Sequence, residues 1–387
     1  MKKILLVAAV AVLVSAGCEK TQIINPMHDS IAFNTGMGKL TKASGNASDA
    51  DSLGNANLQA QDFRIWAYAD YEDVNTSTME LDKIYDNMAN MNVYYDATTK
   101  KWAPQKEYYW PGQDKNLRFF AVSGVDLGGD LSTTDKIEIE ITRTTTGEGE
   151  SAVSTVAPTL TVKDFIVDSL SPNADLMVAD FVCQNQSDKI VNLDFRHALT
   201  KVEFLFKTLE DADEDVYVQS HSVDGVCTKS TLTVSENTDA STNATKPMNF
   251  NWATPAEPVE FTDDYTKEES TFPATIELIS GTTTTEPDKT AMKLDTEADN
   301  FCTWLVMPQD ITNLQVKVLY VMGTRQFESI FDLAVPDKLE EWGVNQYVRY
   351  NVTLAPNKIS FNTSVDEWNR YDADSQKEGN QDIEYQN

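Results

Sequence analysis

The chain has 387 residues and is strongly acidic, with 61 aspartates and glutamates against 31 lysines and arginines and a formal net charge of −30 at pH 7. A surface of this charge repels nucleic acid and anionic lipid headgroups, so a nucleic-acid-binding function is excluded. The length allows two or three domains of ordinary size.

The N-terminus has the pattern of an export signal. Lys2 and Lys3 form a basic region, and residues 4–16 form an apolar run. The run is shorter than the roughly 20 residues that a bilayer span requires, so residues 1–17 are predicted to be a secretory signal peptide. No later apolar run approaches the length of a membrane span, and no transmembrane helix is predicted.

Small residues precede Cys18 in the stretch Ser15-Ala16-Gly17-Cys18. This stretch resembles a bacterial lipobox, although Ser15 stands where leucine is commoner. Cleavage between Gly17 and Cys18, followed by acylation of the Cys18 sulfur with a diacylglyceryl group and palmitate-like chains, is therefore predicted. Residues 18–30 would form a tether above the membrane. Ordinary secretion with an incidental cysteine is the alternative.

Alternation of apolar and polar residues dominates the rest of the chain. IAFNT at 31–35 is predicted to be a short strand, and a loop rich in Gly, Ser, Asn and Asp follows it. Because successive side chains of a strand point to opposite faces, each alternating segment places one face in a core. Helical periodicity is scarce, so the chain is predicted to be all-β, with antiparallel β-sandwiches. The later alternating segments are 63–69, 136–142, 201–206, 314–321, 348–354 and 358–365.

The chain is too long for one small sandwich. The polar stretch QNQSDK at 184–189 lies between two apolar runs. We therefore predict an N-terminal β-sandwich domain at 31–186 and a C-terminal one at 187–368. Residues 369–387 are predicted to be a polar tail, and a short extra strand marked by Ile383 and Tyr385 is the alternative.

The sequence contains no recognisable catalytic or metal-binding motif. Of the three histidines, His28 falls in the tether, His197 starts an apolar strand where a structural role is expected, and His221 is predicted to lie in a polar loop. Zinc-protease, nucleophile-elbow and phosphate-loop motifs are absent from the sequence. The acidic stretch 211–215 begins like a calcium loop but continues with Val216 where that loop needs glycine. No enzymatic activity, cofactor or metal is predicted.

Beyond Cys18, the cysteines are Cys183, Cys227 and Cys302, which are widely spaced and lack C-x2-C spacing. They do not form a disulfide framework. Buried thiols that behave as small hydrophobic residues are the first interpretation, and one disulfide among the three is the alternative.

Several stretches together resemble the fimbrillin family, the subunits of type V pili of anaerobic gut and oral bacteria. Their order and spacing span nearly the whole mature chain. The stretches are IAFNTG (31–36), TKAS (41–44), EYYWPG (107–112), NLRFFAVSG (116–124), ADLMVAD (174–180), LDFRHALTKVEF (193–204), WLVMPQ (304–309) and YVRYNVTLAPNKISFNTSVDEW (347–368).

The resemblance implies two transthyretin-like β-sandwich domains in a lipoprotein precursor at the outer membrane and cell surface. In this family a trypsin-like protease removes an N-terminal strand, and a C-terminal strand of the next subunit fills the groove, so that subunits form a fimbrium. Carried onto this chain, the removable strand would point Ile31 and Phe33 inward. The donor strand would use Ile359, Phe361 and Val365.

The family pattern is incomplete at the expected cleavage site. Family members often have arginine before a small residue, whereas this chain has Lys42 before Ala43 and no arginine before Arg64. Cleavage between Lys42 and Ala43 is one interpretation. An uncut chain that keeps its lipid and acts as an anchor or terminal subunit is the other.

The implied partners are other pilus subunits, outer-membrane lipid held through Cys18, and a ligand on a host or bacterial surface. A monomeric glycan-binding surface lipoprotein is the alternative function, with the aromatic residues at 108–110 as a sugar platform. A hydrolase that uses scattered carboxylates is a third hypothesis, and the missing catalytic motifs argue against it.

Overall fold

The computed structural model describes residues 29–37, 62–70, 72–73, 78–79, 83–84, 88–112, 115–124, 136–146, 153–167, 175–209, 214–239, 247–265, 272–285, 291–296, 299–355, 358–368 and 383–385. The regular secondary structure of these residues consists of β-strands and a 3-10 turn at Gln186–Asp188, with no α-helix among them. In this part of the chain no helix has the length and hydropathy to cross a membrane. The all-β prediction is confirmed.

The strands up to residue 207 begin with the N-terminal strand predicted from IAFNT. They are β1 (Ala32–Met37), β2 (Phe63–Asp70), β3 (Glu72–Asp73), β4 (Thr78–Met79), β5 (Lys83–Ile84), β6 (Met91–Asp96), β7 (Lys101–Pro104), β8 (Asn116–Ser123), β9 (Ile137–Thr146), β10 (Val153–Ile166), β11 (Met177–Ala179), β12 (Val182–Gln184), β13 (Ile190–His197) and β14 (Thr200–Lys207).

The later strands include one of 21 residues, β15, on which several others pair. They are β15 (Val216–Glu236), β16 (Met248–Trp252), β17 (Ala256–Asp264), β18 (Ile276–Glu277), β19 (Thr283–Thr284), β20 (Met292–Lys293), β21 (Asp299–Val306), β22 (Gln309–Asp310), β23 (Gln315–Met322), β24 (Arg325–Asp332), β25 (Glu341–Trp342), β26 (Gln346–Ala355), β27 (Lys358–Glu367) and β28 (Ile383–Tyr385).

The pairings of the first sheet close into a ring. β8 pairs with β2 on one edge and with β11 and β12 on the other, and β11 pairs with β13. β1 lies between β13 and β7, and β7 leads through β6 back to β2. The ring encloses an apolar core that includes Phe63, Phe119 and Phe195. A closed ring protects strand edges only while every member stays in place.

A second core lies between two further sheets. The ten-stranded sheet runs β19-β18-β24-β23-β15-β10-β9, with β16, β17 and β20 also paired to β15, and the five-stranded sheet runs β21-β14-β26-β27-β28. Val202 and Phe204 of β14 share one buried cluster with Val316 and Val318 of β23. This is the sandwich packing that the alternating segments predict.

The ring packs against the second core through β2, β8 and β11. Trp66, Phe120 and Val178 of these strands belong to the cluster of the second core, not to the core of the ring. Counted around the ring, β1 is three or four strands away from β8. The outer face of β1, which carries Ala32 and Asn34, is accordingly exposed.

The hydrogen bonding crosses the predicted domain boundary at residue 187 in both directions. β13 begins at Ile190 but pairs within the first sheet. β9 and β10 end by Ile166 but belong to the second sheet, where β10 pairs with β15 and β9 pairs with β10. The two-domain division stays a prediction. We propose that β13 belongs to the first sandwich, and β9 and β10 to the second. At the C-terminus, β28 at Ile383–Tyr385 is the extra strand considered as the alternative to a polar tail.

His221 corrects the prediction that it lies in a polar loop. It is fully buried on β15, where its Nδ1 lies 2.7 Å from the Tyr265 hydroxyl and its ring stacks 5.1 Å from Trp304. β15 shifts its register against β23 between Val218 and Ser220. The simple alternation of inward and outward side chains fails across such a shift. His221 therefore points into the core although its neighbours in the sequence are polar.

Acid is expected to destabilise the fold through His221. Burial lowers the pKa of His221 from 6.5 to about 4, while the nearby Asp263 carboxylate acts in the opposite direction. The unfolded chain therefore binds this proton more readily than the folded chain. The stability due to neutral His221 is complete above pH 6.5 and is lost as the pH falls through 4. The expected loss is about 3 kcal/mol, measured by urea unfolding across this pH range.

The variant His221→Gln separates this effect from the titration of the many carboxylates. Glutamine can still hydrogen-bond the Tyr265 hydroxyl but cannot gain a proton. Its free energy of unfolding is expected to fall less than that of the wild type over the same pH range. Equal falls in the two proteins would show that His221 does not carry the acid sensitivity.

Candidate functional site

The candidate site is the position of β1 in the ring. On one side β1 pairs in parallel with β13, from Ala32 opposite Ile190 to Met37 opposite Phe195. On the other side its described pairing with β7 is a single register pair, Phe33 with Trp102. The backbone of β1 is therefore held along its whole length by one neighbour and only locally by the other.

Two backbone hydrogen bonds extend the second side of β1 beyond β7. The Ile31 N–H donates to the Tyr108 carbonyl at 2.7 Å, and the Trp110 N–H donates to the Asp29 carbonyl at 3.1 Å. These contacts seal the ring near the start of β1. If β1 left, the edges of β13 and of residues 102–110 would lose these partners and would accept another strand.

The side chains of β1 and of the preceding Ile31 alternate as the sequence predicts. Ile31 and Phe33 are 3% and 6% exposed, and both belong to the core of the ring. Ala32 and Asn34 point to the outside. Burial of two such apolar side chains contributes about 3–6 kcal/mol, so an occupied groove is strongly favoured over an empty one.

Phe33 sits in an aromatic pocket. Its ring meets Phe63 and Phe119 edge-on, with centroids 6.3 Å away in each case. Phe63 in turn contacts Phe195 at 5.2 Å, and Trp110 contacts Phe119 at 5.9 Å. Edge-to-face contacts of this kind add to the stabilisation from burial. The pocket therefore selects a large apolar ring at this position of any strand in the groove.

Two of the three aromatic residues at 108–110, Tyr108 and Trp110, form part of this wall. Trp110 is 1% and Tyr108 is 9% exposed. Side chains buried to this extent cannot form the exposed sugar platform of the alternative function, and packing against a sandwich edge is the better interpretation. In the described part of the chain, no three His, Cys, Asp or Glu side chains are placed to hold a metal ion.

The predicted lipidation and cleavage residues lie outside the described residues. Gly17 and Cys18 precede residue 29, and Lys42 and Ala43 fall in the segment between β1 and β2. Lipidation of Cys18 and cleavage at Lys42 therefore stay predictions.

The predicted donor residues lie on β27, which pairs with β26 from Gln346–Ala355 and with the short β28. Phe361 is 5% exposed and stacks on Phe331 at 4.9 Å and on Tyr350 at 5.3 Å. Val365 is half-buried against the same core. Ile359 is 45% exposed in the single chain, and its inward orientation as a donor residue stays a prediction. It lies at the start of β27, beside the hairpin connection, where the core does not cover it.

The two sets of predicted residues are not brought together within one chain. Ile31 and Phe33 lie in the ring, whereas Phe361 lies in the five-stranded sheet. A contact between the groove and β27 therefore requires a second copy of the chain.

Sequence reasoning missed a buried contact between the end of β13 and the end of β27. His197 Nδ1 lies 2.7 Å from Asp175 Oδ2, and the His197 ring stacks on Trp368 at 3.8 Å. The backbone of Asp175, the partner of His197, also lies against Gly124. A Cβ at Gly124 would lie 2.1 Å from the Asp175 carbonyl oxygen, so glycine is required there. The structural role predicted for His197 agrees with this burial. Its partner Trp368 carries no signal in the sequence that links it to residue 197.

Comparisons with known proteins give one family match and several similar solved structures. A family model described as fimbrillin-like matches residues 41–269. A fimbrial protein from Bacteroides vulgatus ATCC 8482 is 16% identical with a TM-score of 0.49, and 88% of this chain and 99% of that chain are covered. A fimbrial assembly protein from Parabacteroides distasonis ATCC 8503 is 11% identical with a TM-score of 0.37, covering 87% and 94%.

The tip fimbrial protein Mfa3 from Porphyromonas gingivalis, solved with a C-terminal truncation, is 9% identical with a TM-score of 0.35. That match covers 88% of this chain and all (100%) of that one. A search of curated proteins gives no match.

Proposed function

The chain belongs to the fimbrillin-like family, whose model matches residues 41–269 of its 387, and from this premise we propose that it is a structural subunit of a type V pilus. It is exported as an outer-membrane lipoprotein acylated at Cys18. Removal of β1 then opens a groove that a strand of the next subunit fills. The resulting fimbrium at the cell surface supports adhesion.

One observation carries this proposal, namely the way β1 is attached. β1 and the preceding Ile31 place two buried side chains, Ile31 and Phe33, in the ring, yet only residues 38–62 connect β1 to β2. A single cut in that segment separates β1 and the lipidated N-terminus from every later strand. Exchange then replaces one set of ladder hydrogen bonds and one set of buried side chains by another, which is the physics of strand addition.

The proposed donor is residues 358–365 of β27 from the next subunit. To act as a donor, these residues must leave their own sheet, where they lose the pairing of β27 with β26 and the packing of Phe361 on Phe331. In the groove of the neighbouring subunit they regain ladder hydrogen bonds and apolar packing. A joint made in this way has a high barrier to separation, because the strand must lose its ladder and its core contacts together.

Cutting the mature chain between β1 and β2 is expected to produce ladders that resist SDS, whereas the uncut chain stays monomeric. Limited digestion with trypsin, mass spectrometry of the products and unheated SDS gels measure both steps. Lys39 and Lys42 are the only basic residues in the segment 38–61. The double variant Lys39→Gln/Lys42→Gln is therefore the matched control that trypsin cannot cut there.

Clean cutting that leaves only monomers would contradict strand exchange. Deletion of residues 369–387 locates the donor without removing β27. A ladder that persists in this deletion supports residues 358–365 as the donor. Loss of the ladder would place the donor in the segment that carries β28, with exchange itself still supported.

A further inference from the structure

A pentapeptide occurs twice in the chain. Residues 31–35 read IAFNT and residues 359–363 read ISFNT, so the two copies differ only at Ala32 and Ser360. The differing position is exposed on β1. The first copy occupies the groove of the ring, and the second lies on β27.

In the groove, three of the four positions that the two copies share make specific contacts. Ile31 and Phe33 fill the core, as described above. Asn34 lies opposite Asn192 of β13, and its Nδ2 donates to the Asn192 Oδ1 at 3.2 Å. A slip of β1 by two residues would place Ala32 or Gly36 opposite Asn192 and would lose this bond. The asparagine pair therefore marks one register on the outer face of the groove.

On β27, the same pentapeptide is less well accommodated. Ile359 is 45% exposed, compared with 3% for Ile31. The Asn362 Oδ1 and the Thr363 Oγ1 are buried and have no hydrogen-bond partner among the described residues. Buried polar atoms without partners are unfavourable. Of the two apolar side chains, Ile359 and Phe361, only Phe361 is well packed on β27.

We propose that the groove is filled by residues 359–363 of a second copy of this chain, in the register of IAFNT. This inference rests on the proposed function and names its partner. Ile359 takes the place of Ile31, Phe361 enters the pocket of Phe33, and Asn362 hydrogen-bonds Asn192. Asn192 is thereby a register-determining residue of the groove, and the subunit is able to polymerise with itself.

Peptide exchange on the full mature chain tests the proposal, with the chain cut between β1 and β2 and β1 still in place. Labelled peptides of residues 356–365, the same peptide with Asn362→Leu, and residues 380–387 are compared for displacement of β1. The readouts are fluorescence polarisation and mass spectrometry. Each peptide is also tested on the Asn192→Leu protein, whose changed residue is exposed and should not disturb the fold.

The wild-type groove is expected to prefer the Asn362 peptide over its leucine variant by about fivefold, the worth of one hydrogen bond. The preference should vanish in the Asn192→Leu protein, as a double-mutant cycle requires for a direct contact. Leucine has the higher intrinsic strand preference, so a preference for asparagine is not a propensity effect.

Three results would overturn the inference. Equal exchange of the two 356–365 peptides into the wild-type groove would remove the register contact, and equal or faster exchange of the 380–387 peptide would name another donor. In both cases the strand-exchange function stands. Failure of every peptide, together with a cut chain that never forms ladders, would remove the proposed function itself.

Discussion

Replacing Phe33 with alanine is expected to lower the free energy of unfolding of the uncut chain by about 3–5 kcal/mol. The ring of Phe33 is 6% exposed and meets Phe63 and Phe119 edge-on. Alanine would leave a cavity between the two aromatic side chains, which the surrounding residues can fill only in part. Urea unfolding followed by tryptophan fluorescence measures the change, since Trp102 and Trp110 line the same core.

Ala32→Ser is the matched control for Phe33→Ala. It changes the neighbouring residue on the exposed face of β1 and introduces the serine found at the equivalent position of ISFNT. Its effect on stability is expected to stay within about 0.5 kcal/mol. A small effect of Phe33→Ala, similar to that of the control, would mean that β1 is not an integral part of the ring.

The same substitution has a kinetic consequence in the cut chain. Once the segment between β1 and β2 is cleaved, β1 is held by non-covalent contacts, chiefly its ladder with β13 and the buried side chains of Ile31 and Phe33. Loss of the Phe33 contacts is expected to speed the release of β1 and thus the first appearance of ladders. Phe33 therefore links the stability of the precursor to the rate at which the groove becomes available.

The sequence predicts which face of each strand is buried far better than it predicts which strands are neighbours. Alternation correctly places Val202, Phe204 and Phe206 of β14 in the core. The parallel pairing of β1 with β13 joins residues 158 positions apart, and nothing in a period of two specifies that partner. The predicted boundary at residue 187 rests on local polarity, and local polarity carries no information on strand pairing, such as the pairing of β13 with β1 or of β10 with β15.

The N-terminal strand and its buried face could be predicted from the sequence. Ile31 and Phe33 alternate on a short segment flanked by polar residues, and the resemblance to the fimbrillin family adds its role. Ile359 shares the same pattern but is exposed in the single chain. Period-two alternation shows that a segment can form a strand with one buried face. Tertiary packing decides where in the protein that face is buried.

Phe361→Ala has the second large expected effect, and Ile359→Ala is its matched contrast on the same strand. Phe361 packs between Phe331 and Tyr350 in the second core. Its replacement by alanine is expected to destabilise the monomer by about 3–5 kcal/mol. Ile359→Ala is expected to change monomer stability by less than about 1 kcal/mol, because nearly half of the side chain is already in water. Urea unfolding of both variants measures the contrast.

Ladder formation by the same two variants then tests which segment fills the groove. If ISFNT of one copy replaces IAFNT of another, Ile359 goes from 45% exposed to the environment of Ile31, which is 3% exposed. Its loss should then weaken the polymer by about 2–4 kcal/mol per joint, although the monomer is almost unaffected. Ladders of Ile359→Ala should dissociate in SDS at a lower temperature than those of the wild type. Equal thermal resistance of the wild-type and Ile359→Ala ladders would show that Ile359 stays outside the groove. A side chain that is buried in the polymer but not in the monomer must stabilise the polymer.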